Sequence, residues 1–298
     1  MRALESEVAD AVWVAVEALL PSRADAHPLG CHSPPIPDRV CFMGILIGLV
    51  TGCSWVTAER LLGGQVSDTA LRARRDEWVA AGVFDALAAE ALEAYDRIVG
   101  LDLSDAAVDG SQHKAPCGGP GTGPNPTDRD KRGRKWSLLC DRAGIPVRWA
   151  TDGANRHDRT LFSPTVVAVE DRGPLADAQT LHLDRGYDSA TTRRACTDAG
   201  TDDIICARRR PHGAAMHKTT TPSGPRWPVE RTNPWLSNFG QLRRNTDPRP
   251  QHRPAQLALA ITPLIRAKPN DRRDRRNTTQ PPTRARSYSD RQQFRVWS

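Results

Sequence analysis

Three acidic residues stand at positions where chemistry could be done. Asp109 closes the apolar run Ala106-Ala107-Val108 and precedes Gly110-Ser111. Asp184 closes Thr180-Leu181-His182-Leu183 and precedes the turn Arg185-Gly186-Tyr187. Glu230 follows Trp227-Pro228-Val229 and precedes a helical stretch. An acid at the carboxyl end of a central strand projects into the crevice where α/β sheets place their chemistry. Three carboxylates delivered from three separate elements can hold two divalent ions ~3.5–4 Å apart. Such a pair activates a water or a 3′-hydroxyl and stabilises the leaving oxygen of a phosphoryl transfer. Magnesium suits the task because it takes few protein ligands and keeps positions open for substrate phosphate. The chain has 35 Asp and Glu in all, so position alone does not single these three out.

The elements that must position them follow from the pattern of apolar residues. Glu5 to Leu20 carries Val8, Val12, Val16 and Leu19 at helical spacing, and Pro21 ends it. A Pro-rich connector leads to Asp38, which caps a helix over Arg39 to Thr51 that is apolar on nearly every side and so must be buried. Ser54–Leu62, a Gly63-Gly64 turn and Ser67–Ala81 read as helix, tight turn, helix, with Ser67 or Asp68 as cap. That arrangement suits a helix-turn-helix whose second helix carries Arg72, Arg74 and Arg75 toward a DNA groove. It suits equally a plain helical hairpin with solvated arginines. A further helix spans Phe84 to Val99.

From about residue 103 the pattern turns to alternating strand and helix. The expected strands are Leu103–Asp109, Trp136–Cys140, Val147–Thr151, Leu181–Leu183 and Asp203–Cys206, with Gly118–Asp130 as a loop. Asp158 caps the helix that follows Asn155-Arg156-His157. Another helix runs from Ser189 to Ala199, a basic linker covers residues 207–226, and Gln256 to Ile265 is an apolar helix. The order gives an α/β fold, a mixed sheet flanked by helices, preceded by an all-α domain. The expected units are residues 1–100, 101–265 and a basic, disordered tail over 266–298.

Charge is unevenly distributed. Residues 1–105 carry 8 Lys and Arg against 16 Asp and Glu, residues 106–262 carry 24 against 16, and residues 263–298 carry 10 against 3. A basic middle and tail suit a polyanionic partner, and the middle should hold most of the salt-dependent affinity. The seven cysteines show no CxxC spacing and read as reduced structural thiols. No run of 18 apolar residues exists, and the start of the chain has acids where a leader would be basic, so a cytoplasmic location is expected.

Four segments in combination, AVDGSQHK (107–114), GANRHD (153–158), LHLDRGYD (181–188) and WPVERTNPWLSNFGQLRR (227–244), resemble the catalytic domain of DDE transposases of the insertion-sequence-five group. IPDRVCFMGILIGLVTGCSW (36–55) is similar to that group's N-terminal helical DNA-binding domain. The resemblance covers about residues 5–265 and implies a ribonuclease-H-like fold. Its Asp, Asp, Glu triad maps onto Asp109, Asp184 and Glu230. The implied reaction is metal-dependent cleavage at the inverted-repeat ends of a mobile element, followed by attack of the freed 3′-hydroxyl on target DNA. Two magnesium ions are implied, with manganese able to substitute, as are double-stranded DNA as substrate and a homodimer that pairs two ends. Arg226, four residues before Glu230, occupies a family arginine position. Arg226, Arg231 and Lys114 are placed to hold phosphate. Departures are Ser223 and Ser237, where the family has tyrosine and lysine, a tail that resembles nothing in the family, and Pro234. A proline four residues after Glu230 conflicts with a continuous helix unless Asn233 caps a helix that begins at Pro234. The alternative reading is a catalytically degraded copy that binds transposon-end DNA without cutting. Further rivals are a structure-specific nuclease on the same fold and a helix-turn-helix regulator.

Overall fold

The computed structural model describes residues 2–22, 36–167, 180–198, 200–205 and 227–278. The expected linker 207–226, including Arg226 and Ser223, lies outside the described residues.

The first 100 residues are helical: α1 (Ser6–Leu19), α2 (Asp38–Thr51), α3 (Trp55–Leu61), α4 (Asp68–Ala80) and α5 (Val83–Val99). As its all-round apolar sequence requires, α2 is sunk in the bundle, with Cys41, Phe42, Ile45, Leu46, Leu49 and Val50 buried. Ser54 and Ser67 cap α3 and α4, their hydroxyls accepting from Thr57 N and Ala70 N. Gly63 and Gly64 turn the chain between them at φ 65° and 72°, a conformation that disfavours side chains.

The sheet contains β1 (Asp105–Lys114), β2 (Gly123–Pro124), β3 (Arg132–Cys140), β4 (Pro146–Gly153), β5 (Thr180–Leu183) and β6 (Asp202–Ile205). The order is β2-β3-β1-β5-β6, with β4 also paired to β3. The β1, β3 and β4 ladders are antiparallel, whereas β1, β5 and β6 run parallel. The helices α6 (Asp158–Val167) and α7 (Ala190–Asp198) cover one face, where Val108, Leu139, Phe162, Leu181, Leu183 and Tyr187 form a small core. The opposite face packs on α8 (Trp227–Ser237), α9 (Gly240–Arg243) and α10 (His252–Thr278). There Ala107, Trp136 and Leu138 join a large core that also takes in Phe42, Trp78, Leu87, Leu257 and Ile261. This core runs across residue 100, because α5 lies along α10. The backbones of α2 and α9 also touch: a Cβ on Gly240 would lie 2.4 Å from the Thr51 carbonyl. Among the described residues no helix is long and apolar enough to cross a membrane.

Three local expectations change. The strand with Asp109 does not stop there; β1 runs on to Lys114, because Gly110 to Lys114 continue to pair with β3. The helix with Glu230 does not begin at Pro234; α8 is continuous from Trp227 with Pro234 inside it. The last helix does not end at Ile265 but continues to Thr278, so the first part of the expected disordered tail is helical backbone. Residues 279–298 lie outside the described residues.

Candidate active site

The parallel register places Val108 opposite Leu183, so the next residues, Asp109 and Asp184, leave neighbouring strands side by side. Side chains of laterally paired residues share a face of a sheet. Val108, Leu181 and Leu183 point into the core under α6 and α7. Asp109 and Asp184 therefore project on the other face, the α8 side, and both are partly exposed.

Helix α8 crosses that face. Asn233 is buried, and its side-chain N–H donates to Asp109 Oδ2 at 2.8 Å. Its oxygen accepts the Trp136 indole N–H at 2.9 Å. The indole can only donate, which fixes which end of the Asn233 amide faces Asp109. Trp136 is in turn stacked on His113, with ring centroids 3.7 Å apart, and His113 Nε2 lies 2.8 Å from the Ser111 hydroxyl. Burial, and then the neighbouring Arg134 charge, pull the His113 imidazole down to about 3. Thr232 anchors the same helix by donating to the Gly144 carbonyl at 2.7 Å. The expected capping role of Asn233 is thus replaced by a tertiary one.

Glu230 lies on α8 one turn before Asn233, so the two share a helix side. Its side chain is exposed. Among the described residues no group of three or more His, Cys, Asp or Glu side chains is gathered closely enough to hold a metal ion. The strand register thus sets Asp109 and Asp184 side by side, and among the described residues the three acids form no ready-made cage. Two hard carboxylate donors in adjacent register fit magnesium, which is commonly held by one or two carboxylates together with water and substrate phosphate.

On the far side of the sheet sits an acid whose role the sequence did not reveal. Asp158 accepts from Lys135 Nζ at 2.8 Å, and the Lys135 side chain is only 3% exposed. The same ammonium donates to the Arg156 carbonyl. Tyr187, buried and 3.2 Å from the Ser137 hydroxyl, has its phenol pushed up, first by burial and further by the charges of Asp158, Asp109 and Asp184. The sequence marks Asp158 only as a helix cap and as the end of the segment GANRHD.

The cations expected at the site or in a DNA groove divide. Lys114 lies five residues along β1 from Asp109, ~17 Å away at strand rise and, by odd spacing, on the opposite face. Its ammonium is 3.8 Å from Asp128, so it does not serve the aspartate pair. Arg231 turns from the site and donates to the Ala143 carbonyl at 3.0 Å, its guanidinium 4.7 Å from the Trp235 ring centroid. Arg75 faces inward, not toward a groove. It is buried against Asp247 at 2.7 Å and Asp76 at 2.8 Å, over the Trp55 ring. Arg74 is bound to Asp38 and mostly covered. Of the three arginines only Arg72 is half exposed, paired with Asp68 one turn earlier. The first two turns of α4 thus expose Thr69, Arg72 and Ala73.

Two protein families match this chain. Residues 101–295 match the family described as transposase DDE domain. That match extends over the tail, which therefore does not stand apart from the family. Residues 8–88 match DUF4096, described as candidate transposases of the IS4/5 family. A candidate transposase for insertion sequence element IS402 of Burkholderia cepacia is 41% identical over 131 residues, 42% of this chain and 59% of that protein. An uncharacterized 16.2 kDa protein of insertion element IS402, also from Burkholderia cepacia, is 33% identical over 117 residues, 39% of this chain and 79% of that protein. The chain therefore spans under two thirds of the length of the first of these relatives.

Proposed function

Because this chain belongs to the DDE transposase family, with its mixed sheet of ribonuclease-H-like type, we propose that it cuts DNA at the inverted-repeat ends of its own insertion sequence and joins the freed 3′-hydroxyl to target DNA. The observation that carries this reading is the adjacent placement of Asp109 and Asp184 on one sheet face, with α8 bonded to Asp109. When bound, a pair of magnesium or manganese ions supplies an activated oxygen nucleophile and neutralises charge on the departing oxygen. Asp109 and Asp184 hold the ions. Asn233 fixes the Asp109 carboxylate by donating to one of its oxygens. Glu230 enters from α8 once DNA is seated, and its exposure leaves it room to do so. Arg226 holds substrate phosphate. Arg72 contributes DNA contact from the helical front domain, and a second copy of the chain brings the second end.

Strand cleavage of duplex DNA carrying the element's ends, with magnesium, tests this. Wild type should nick the end and, given target DNA, join it, whereas Asp184→Ala should bind and not cut. Binding without cutting by the wild type would identify a degraded copy. Cutting that ignores end sequence and never joins strands would identify a structure-specific nuclease.

A further inference from the structure

Gly110 follows Asp109 and Gly186 follows Asp184 by two residues, yet neither has a left-handed backbone that demands glycine. What both lack is room. A Cβ on Gly110 would lie 2.6 Å from Asp158 Oδ1, with its next neighbour at 3.4 Å also on Asp158. A Cβ on Gly186 would lie 2.7 Å from Asp158 Oδ2, and its other close atoms, at 3.5 Å, again belong to Asp158. One carboxylate therefore touches both backbones, one oxygen each. Lys135 holds it from below: its ammonium bonds Asp158 Oδ1 and the Arg156 carbonyl, both at 2.8 Å. Lys135 alternates with Trp136 and Leu138, which face α8, so it points to the α6 side, as do Ser137 and Leu139. Asp158 thus stands behind the sheet, opposite the side from which Asp109 and Asp184 project.

We propose that Asp158, held by Lys135, is a positioning residue for the Asp109–Asp184 pair: its carboxylate fills the gap behind Gly110 and Gly186 and sets how the two strand ends lie relative to each other. The assignment rests on reading Asp109 and Asp184 as the metal-holding pair. It explains why three separated segments carry Asp-Gly, His-Asp and Asp-Arg-Gly together: the glycines exist to admit the acid. Asp158 supplies no ligand. Its charge is matched by Lys135, and its effect on the front of the sheet passes through two backbones.

The test is magnesium binding by the full-length chain without DNA, measured by titration calorimetry beside thermal melting. Gly110→Ala or Gly186→Ala should weaken magnesium by about 10- to 100-fold, the usual effect of disturbing groups that orient metal ligands. The double variant Lys135→Met, Asp158→Ala removes the acid without stranding a buried ammonium and should weaken binding similarly. Adding Gly110→Ala to that double variant should cost nothing more, since every close atom is gone. Lys135→Met with Asp158→Asn, an uncharged pair of the same shape, should stay within about threefold of wild type. Wild-type binding by the Lys135→Met, Asp158→Ala protein overturns the assignment. So does a Gly110→Ala defect that adds in full to it. If wild type takes up no magnesium, the metal reading itself falls. Coupling between positions 110 and 158 in the melts then supports the positioning role, and additivity there overturns it.

Discussion

Asn233 donates to Asp109 at 2.8 Å, and this one bond joins helix α8 to the strand that carries the first acid. It closes a chain of contacts through the Trp136 indole to the stacked His113 ring. The position of α8, and with it Glu230, is therefore tied to the orientation of the Asp109 carboxylate. Asn233→Asp keeps the acceptor for Trp136 but sets a second carboxylate against Asp109. Two such groups at hydrogen-bond distance cannot both ionise freely. The variant should lose about 1–3 kcal/mol at pH 7, recover part of it near pH 4, and cut end-bearing DNA far more slowly. Urea melts at the two pH values and a cleavage assay check this; an unchanged cleavage rate would remove Asn233 from the site.

Pro234 lies inside α8 and is exposed, so the helix runs through a residue that cannot bond to the Glu230 carbonyl. A proline in a helix interior costs about 3 kcal/mol. Val229, Thr232 and Leu236, all fully buried, hold the helix despite it. Pro234→Ala should raise stability by about 1 kcal/mol, less than the full penalty because the backbone has already adapted. A thermal melt decides; a lower melting temperature would mean that the proline's fixed backbone angle stabilises α8.

The strands are legible in the sequence because apolar alternation is a local signal. Asp109 and Asp184 are marked by their flanking apolar runs together with the family resemblance, and Asp109 stands within β1, not at its end. Where Glu230 sits was harder, since local rules forbid what tertiary contacts allow: Pro234 argued for a helix start that Asn233, bonded to two strands, overrides. Asp158 reads as a cap because nothing local shows a lysine 23 residues earlier reaching it from β3. Arg75 read as a groove contact because its partner, Asp247, is 172 residues away. Side-chain pairings at such separations leave no periodic trace.

Arg72 and Arg75 should accordingly behave differently. Arg75 is buried with Asp247, whose carboxyl burial alone would raise but which the His252 and Arg75 partners hold below its ordinary value. Removing one member of a buried pair costs about 3–5 kcal/mol, so Arg75→Met should be strongly destabilised. Arg72, half exposed, should change stability by no more than about 0.5 kcal/mol on going to alanine. If α4 meets DNA, Arg72→Ala should lower the salt slope of binding by about one. Melting curves and salt titrations on the full chain separate the two residues; an unaltered slope would favour the plain helical hairpin.

His113 gives the protein a measurable acid sensitivity. In the unfolded chain it titrates near 6.5, whereas in the folded protein it is lowered to about 3. Between those values the unfolded state binds the extra proton, so stability is full above 6.5 and drains as pH falls toward 3. The slope from this group alone is about 1.4 kcal/mol per pH unit. His113→Phe keeps a ring against Trp136 but cannot titrate and loses the Ser111 bond, worth about 1 kcal/mol. The variant should be the weaker at pH 7 and the stronger at pH 5, the two curves crossing near pH ~6. Urea denaturation at half-unit steps from pH 7 to 4.5 measures this, a window above the range where Asp247 gains its proton. Parallel curves for the two proteins would show that the His113 ring is reached by protons in the folded state.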